Sequence, residues 1–209
     1  VHIDEINDQH SQLLNIQIGG EPMKPRQTLI AANWKMHKSI SEAVSFVESL
    51  QKEINSLDDR EVLIAPPFTA LSSVRKVMTR KGFKLGAQTC HWEDKGAYTG
   101  EISCDMLRDA GCDFVIVGHS ERRHVFGESD EEIEKKVAAA FKRGLLPVLC
   151  IGEVLQEREA GRTFQVVEEQ LQKSIGRLGG EQARQLVIAY EPVWAIGTGK
   201  TAAPEQAQV

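Results

Sequence analysis

The sequence has no apolar run close to the roughly 18 residues that a membrane-crossing helix requires, which sets a helical membrane span aside. Cysteine is sparse. The four residues, Cys90, Cys104, Cys112 and Cys150, have no CxxC spacing. That argues against a disulfide framework and against a metal site. Two of them lie in or beside apolar strand-like runs, so the reading is buried thiols in a reducing compartment. Positive charge is not in excess: 25 Lys and Arg stand against 30 Asp and Glu, a net charge of −5, which excludes a broad nucleic-acid footprint. No internal period repeats, so the chain is not a solenoid. No secretory signal or Arg-rich transit peptide is legible, and the expected location is cytoplasmic.

What is present is an ordinary globular composition, 41% hydrophobic and 26% charged over 209 residues, enough for one domain or a large part of one. Residues 1–22 are polar and end in Gly19-Gly20-Glu21-Pro22, and they read as a tail or linker. From Met23 to Val209 apolar runs alternate with helical patterns. Strands are expected at 28–32, 62–65, 83–88, 114–118, 146–151 and 186–190. Helices are expected at about 40–55 and 71–79, from Ser103, at about 130–143, and around 164–175. Ser39-Ile40-Ser41-Glu42 and Ser129-Asp130-Glu131-Glu132 are capping boxes. Strands that each lead into a helix imply a parallel sheet with helical crossovers.

The chain is organised around Leu186 to Thr201, LVIAYEPVWAIGTGKT. An apolar run without alternation suits a strand buried on both faces. It ends at Glu191, and Pro192 stops the ladder. Val193-Trp194-Ala195-Ile196 then form an apolar flap, followed by Gly197-Thr198-Gly199-Lys200, where glycines permit a hinge or a nest of N–H groups for an anion. Polar groups recur at other strand ends: Asn33 and Lys35 after the first, His119 and Glu121 after the fourth. Singly, Lys35 reads as a solvated lysine, His119 as a structural histidine in a turn, and Glu121 with Arg122 as an ion pair. Five such residues at the carboxyl ends of one sheet point instead to an active face.

Ala32-Asn33-Trp34-Lys35-Met36, Gly96-Ala97-Tyr98-Thr99-Gly100-Glu101, Gly118-His119-Ser120-Glu121-Arg122-Arg123, Cys150-Ile151-Gly152-Glu153 and Ala189 to Lys200 resemble the triosephosphate isomerase family, in order, from Met23 to Val209. The resemblance implies a (β/α)₈ TIM barrel that interconverts dihydroxyacetone phosphate and D-glyceraldehyde 3-phosphate through an enediol(ate), in glycolysis and gluconeogenesis, with no cofactor and no metal. It implies that Glu191 is the base, His119 the neutral electrophile, and Lys35 the cation that steadies the dianionic substrate. Asn33 is implied as a donor to the substrate oxygen, and Glu121 as a supporting acid beside Lys35. Pro192, Val193, Trp194, Ala195, Ile196, Gly197, Thr198, Gly199 and Lys200 are implied as the lid, with the Gly197 N–H reaching the phosphate. It further implies a homodimer in which the loop around Tyr98 and Thr99 meets the partner near Met36.

An eight-unit barrel takes about 250 residues. The 187 residues from Met23 to Val209 hold six strands and the start of the helix after the sixth. The glycine- and serine-rich phosphate loops that follow strands seven and eight in the family are absent from this stretch. The expectation is an open six-stranded sheet with Glu191, His119 and Lys35 still near one another. The alternative function is a catalytically inactive truncated fragment.

Overall fold

The computed structural model describes residues 27–196. The expected tail, residues 1–22, and the lid residues Gly197, Thr198, Gly199 and Lys200 lie outside the described residues. Six strands run β1 Thr28–Asn33, β2 Arg60–Ala65, β3 Phe83–Ala87, β4 Phe114–Val117, β5 Leu146–Ile151 and β6 Val187–Tyr190. They form one parallel sheet in chain order, β1-β2-β3-β4-β5-β6. Among the described residues, β1 and β6 each pair with one strand, as an open part of a (β/α)₈ barrel does.

The inner strands β2 to β5 are mostly apolar because both of their faces are covered, whereas β1 and β6 at the edges are partly exposed. Toward the barrel interior, Leu63, Ala65, Phe114, Ile116, Val148 and Cys150 pack together, with Leu29, Val187 and Ala189 at the margin. Toward the helices, Ile64, Leu85, Val115, Val117, Leu149 and Ile151 join the larger core. Gly86 on β3 has a packing reason: a Cβ there would lie 2.8 Å from Leu63 Cδ1, inside van der Waals contact.

The helices are α1 Ile40–Glu53, α2 Leu71–Val77, α3 Cys104–Asp109, α4 Ser120–His124, α5 Asp130–Lys142, α6 Leu155–Glu159, α7 Thr163–Ile175 and α8 Gly180–Gln185. Both expected capping boxes form. Ser39 Oγ accepts the Glu42 N–H while Glu42 Oε2 accepts the Ser39 N–H at 2.8 Å, and Ser129 and Glu132 repeat the exchange. In α1, where Val44, Val47, Leu50 and Ile54 are expected to face inward, Val47 is fully buried and Leu50 and Ile54 pack half-buried against the core, and Ala43 and Gln51 are buried beside them. Gln51 is buried because its amide is fully used. It donates to Val77 O at 2.9 Å and accepts the N–H groups of Thr79 and Arg80. Three short helices, α4, α6 and α8, lie where sequence patterning gives no helix.

All four cysteines are free and buried. The long loop after β3 is tied to its surroundings. His91 stacks between Trp92 and Tyr98 at centroid distances of 4.2 and 4.3 Å, and Asp94 is clasped by Arg143 and by Lys142 at 3.3 Å.

Candidate active site

The carboxyl ends of the strands bring the charged residues to one face. At the end of β1, Asn33 Oδ1 accepts the Lys35 N–H at 3.0 Å, and Gln88, just past β3, donates from Nε2 to Lys35 O at 2.9 Å and to Ala65 O at 2.9 Å. These bonds hold Lys35 at φ 52°, a left-handed conformation that costs a side-chain-bearing residue energy. The Lys35 ammonium lies 2.8 Å from Glu121 Oε1. Glu121 therefore faces Lys35, while its neighbour Arg122 turns to Glu128 at 3.2 Å. The Glu121–Arg122 pair that the two residues suggest in isolation is not formed.

His119 caps α4. Its Nδ1 accepts the Glu121 N–H at 3.2 Å. A nitrogen that accepts an N–H carries no proton itself, so the imidazole is neutral and its Nε2 holds the hydrogen. The Glu121 carboxylate is also 3.6 Å from Nδ1, a contact that would suit a protonated ring. The shorter amide contact and the engagement of that carboxylate with Lys35 favour the neutral form. Nε2 lies 3.2 Å from Glu191 Oε1, and Glu191 Oε2 accepts the Ser120 N–H at 3.0 Å. His119 is buried, and the Glu191 side chain is 17% exposed.

Arg123 fixes α4 in place. It donates to Gly118 O at 2.8 Å and to Cys150 O at 3.3 Å, and pairs with Asp130 at 2.6 Å. It thus joins the ends of β4 and β5 to α5. Asn33, His119 and Glu191 line a cavity of about 150 Å³ floored by apolar side chains, Leu63, Ile116 and Ala189 among them. The thiol of Cys150 lies in the same wall. Burial, then the nearby Glu191 carboxylate, push its pKa up, so it stays a neutral thiol.

Glu191 leaves β6 across Gly152. The Glu191 carbonyl oxygen occupies the space where a Cβ on residue 152 would be, at 1.8 Å, so no other residue fits beneath it. Past Pro192, Val193–Ala195 form a single 3-10 turn. Trp194 is buried, and its indole Nε1 donates to Glu153 Oε1 at 3.0 Å. Glu153 is fully buried and also accepts from the Tyr190 hydroxyl at 3.0 Å and from Arg158 at 3.1 Å. Burial, then the hydrogen bond to Glu153, raise the Tyr190 pKa. The guanidinium of Arg158 stacks 4.5 Å over Trp194. The described part of the expected lid, Pro192 to Ile196, is thus anchored on a buried carboxylate.

Gln88, Ser120, Cys150, Gly152 and Glu153 are site neighbours to which sequence reasoning gave no role. Each stands in or next to a strand end, and all but Gln88 lie within the motifs that carry the family resemblance. Met36 is 94% exposed and Thr99 is exposed, so neither is buried within the chain.

A family model described as triosephosphate isomerase matches residues 28–209. A protein named triosephosphate isomerase from Aquifex aeolicus is 52% identical over 179 residues, covering 86% of this chain and 72% of that protein. Proteins of the same name from Herpetosiphon aurantiacus and Endomicrobium trichonymphae are each 52% identical over 183 residues, covering 88% of this chain and 73% of their own length.

Proposed function

The chain belongs to the triosephosphate isomerase family, and from that premise we propose that it interconverts dihydroxyacetone phosphate and D-glyceraldehyde 3-phosphate through an enediol(ate). The observation that carries the reading is His119 Nε2 at 3.2 Å from Glu191 Oε1, beside a small cavity with an apolar floor. A carbon acid next to a carbonyl gives up its proton only when a base is held against it and the forming oxyanion is stabilised.

In this reading Glu191 takes the proton from one carbon and returns it to the next. The His119 Nε2–H donates to the carbonyl oxygen as charge develops there. The Asn33 amide adds a second donor through its NH₂ group, its Oδ1 being engaged with the Lys35 N–H. Lys35 supplies a positive charge for a dianionic substrate, and Glu121 holds that ammonium at 2.8 Å. Glu191 exchanges its Ser120 N–H contact for the substrate's carbon when the site fills. The flap from Pro192 to Lys200 closes over the site, with the Gly197 N–H on the phosphate, and excludes water from the intermediate. The chemistry is proton transfer alone and calls for no metal or organic cofactor. A homodimer through Thr99 and Met36, and a cytoplasmic location, complete the reading. The exposure of both residues supports the first, and the free, buried cysteines support the second.

The test is Glu191→Asp in the full-length protein. Withdrawing the carboxylate by about 1 Å is expected to lower kcat on the order of 10²-fold with KM little changed. A variant with near-parental turnover would remove Glu191 from the role of base.

A further inference from the structure

We propose that Lys38 is a positioning residue for Lys35, acting by clamping the loop between β1 and α1 through its ammonium. Among the described residues two non-glycine residues have positive φ, and both lie in this loop: Lys35 at 52° and Lys38 at 74°. The upstream end is secured by hydrogen bonds, from Trp34 N–H to Ala65 O at 3.1 Å and through Asn33 and Gln88 to the Lys35 backbone. Downstream, α1 begins at Ile40 behind the Ser39 cap. Between them, residues 36–38 make no hydrogen bond among the described residues, and all three are exposed.

A loop with two residues in a costly conformation and no hydrogen bonds across its middle needs another restraint. Lys38 provides it. Its Nζ lies 4.6 Å from the centroid of Phe46, on α1, and 5.5 Å from that of Trp34, both within cation–π range. The two rings meet edge to face at 5.4 Å. Trp34 immediately precedes Lys35 and is buried, so the ammonium ties the helix to the residue next to Lys35. Releasing the clamp frees residues 36–38 and lets the Lys35 side chain leave its 2.8 Å pairing with Glu121. The charge of Lys38 acts here on two aromatic faces, and on the Glu42 carboxylate in the first turn of α1, rather than on substrate.

This inference rests on the isomerase reading, so the experiment has one readout that depends on turnover and one that does not. Lys38→Gln, Lys38→Arg and Phe46→Leu are compared with the parent. In steady-state kinetics Lys38→Gln and Phe46→Leu are expected to lose kcat about tenfold with KM within about twofold, while Lys38→Arg, which keeps the cation over the rings, stays within about twofold of the parent. A raised KM with kcat intact in Lys38→Gln makes Lys38 a charge that attracts substrate and overturns the proposal. In parallel, carbon-13 at the lysine ε-methylene is observed by NMR, the Lys35 signal being assigned by its loss in Lys35→Met. The Lys35 signal is expected to move in Lys38→Gln and in Phe46→Leu. An unmoved signal in both overturns the proposal whether or not the parent is active. A parent without isomerase activity whose Lys35 signal moves sinks the isomerase reading and leaves Lys38 as the clamp on Lys35.

Discussion

Glu191 and His119 are held 3.2 Å apart by elements far apart in sequence, and what each can do is set by a single backbone N–H. The Glu121 N–H occupies His119 Nδ1 and so assigns the ring's hydrogen to Nε2. The Ser120 N–H gives the Glu191 carboxylate a resting partner. Neither amide is legible in the sequence, because any residue but proline supplies an N–H. The side chains themselves are legible, because carboxylate, imidazole and ammonium groups at strand ends are unusual as a set. Glu153 shows the opposite case. A buried carboxylate with three donors around it is marked in the sequence by its place after β5 and by the Cys150-Ile151-Gly152-Glu153 motif, neither of which gives its partners. At this scale Cys112 offers a pH prediction. It is fully buried, and burial pushes its thiol pKa up to about 12, against about 8.5 in an unfolded chain. The native state keeps the proton while the unfolded thiol releases it, so this contribution to stability is intact below the unfolded pKa and falls as pH rises toward 12. Between pH 9 and 11 the unfolding free energy should decline by about 1.4 kcal/mol per pH unit from this thiol alone. Cys112→Ala should lose that part of the slope in denaturant titrations. Equal slopes in parent and variant would contradict the account.

Strands and long helices follow from local rules, short helices from tertiary ones. The inner strands carry apolar runs because both of their faces are buried, and α1 and α5 announce themselves by their capping boxes. The five-residue α4 has no such pattern. It exists because His119 caps it and Arg123 ties it to the ends of two strands. The α8 helix begins at Gly180, after Gly179, and two glycines read as a loop. Gly152 carries the element-scale prediction. Any Cβ there would overlap the Glu191 carbonyl oxygen, so Gly152→Ala must move the end of β6 or of β5. Overpacking of a well-packed site typically costs about 1–3 kcal/mol. The variant is expected to melt several degrees lower and to lose most of its turnover, since the displaced residue is Glu191 itself. Calorimetry and kinetics that both match the parent would show that β6 leaves the sheet by another path.

Across the molecule, the sheet order and parallel sense follow from the alternation of strands and helices, and the six-stranded open sheet matches the expectation from six runs. Closure is a property of the neighbours of β1 and β6. Among the described residues each has one free side, and Ile30 and Ile188 are 49% and 48% exposed there. Amide exchange should follow this geometry. The amides of β1 and β6 are expected to exchange at least about tenfold faster than those of β2 and β5, which are paired on both sides. Equal protection in all four strands would mean that a further strand lies against both edges.

The central claim is that Glu191 moves a proton between adjacent carbons beside a neutral His119. It is tested most directly by running the isomerisation of dihydroxyacetone phosphate in D₂O and following the product by NMR. A carboxylic acid holding the transferred proton exchanges it with solvent, so the account predicts glyceraldehyde 3-phosphate carrying deuterium at the carbon next to the aldehyde, formed on the order of 10²-fold more slowly in Glu191→Asp. Product formed at full rate without deuterium, or labelled product made equally well by the variant, would contradict it.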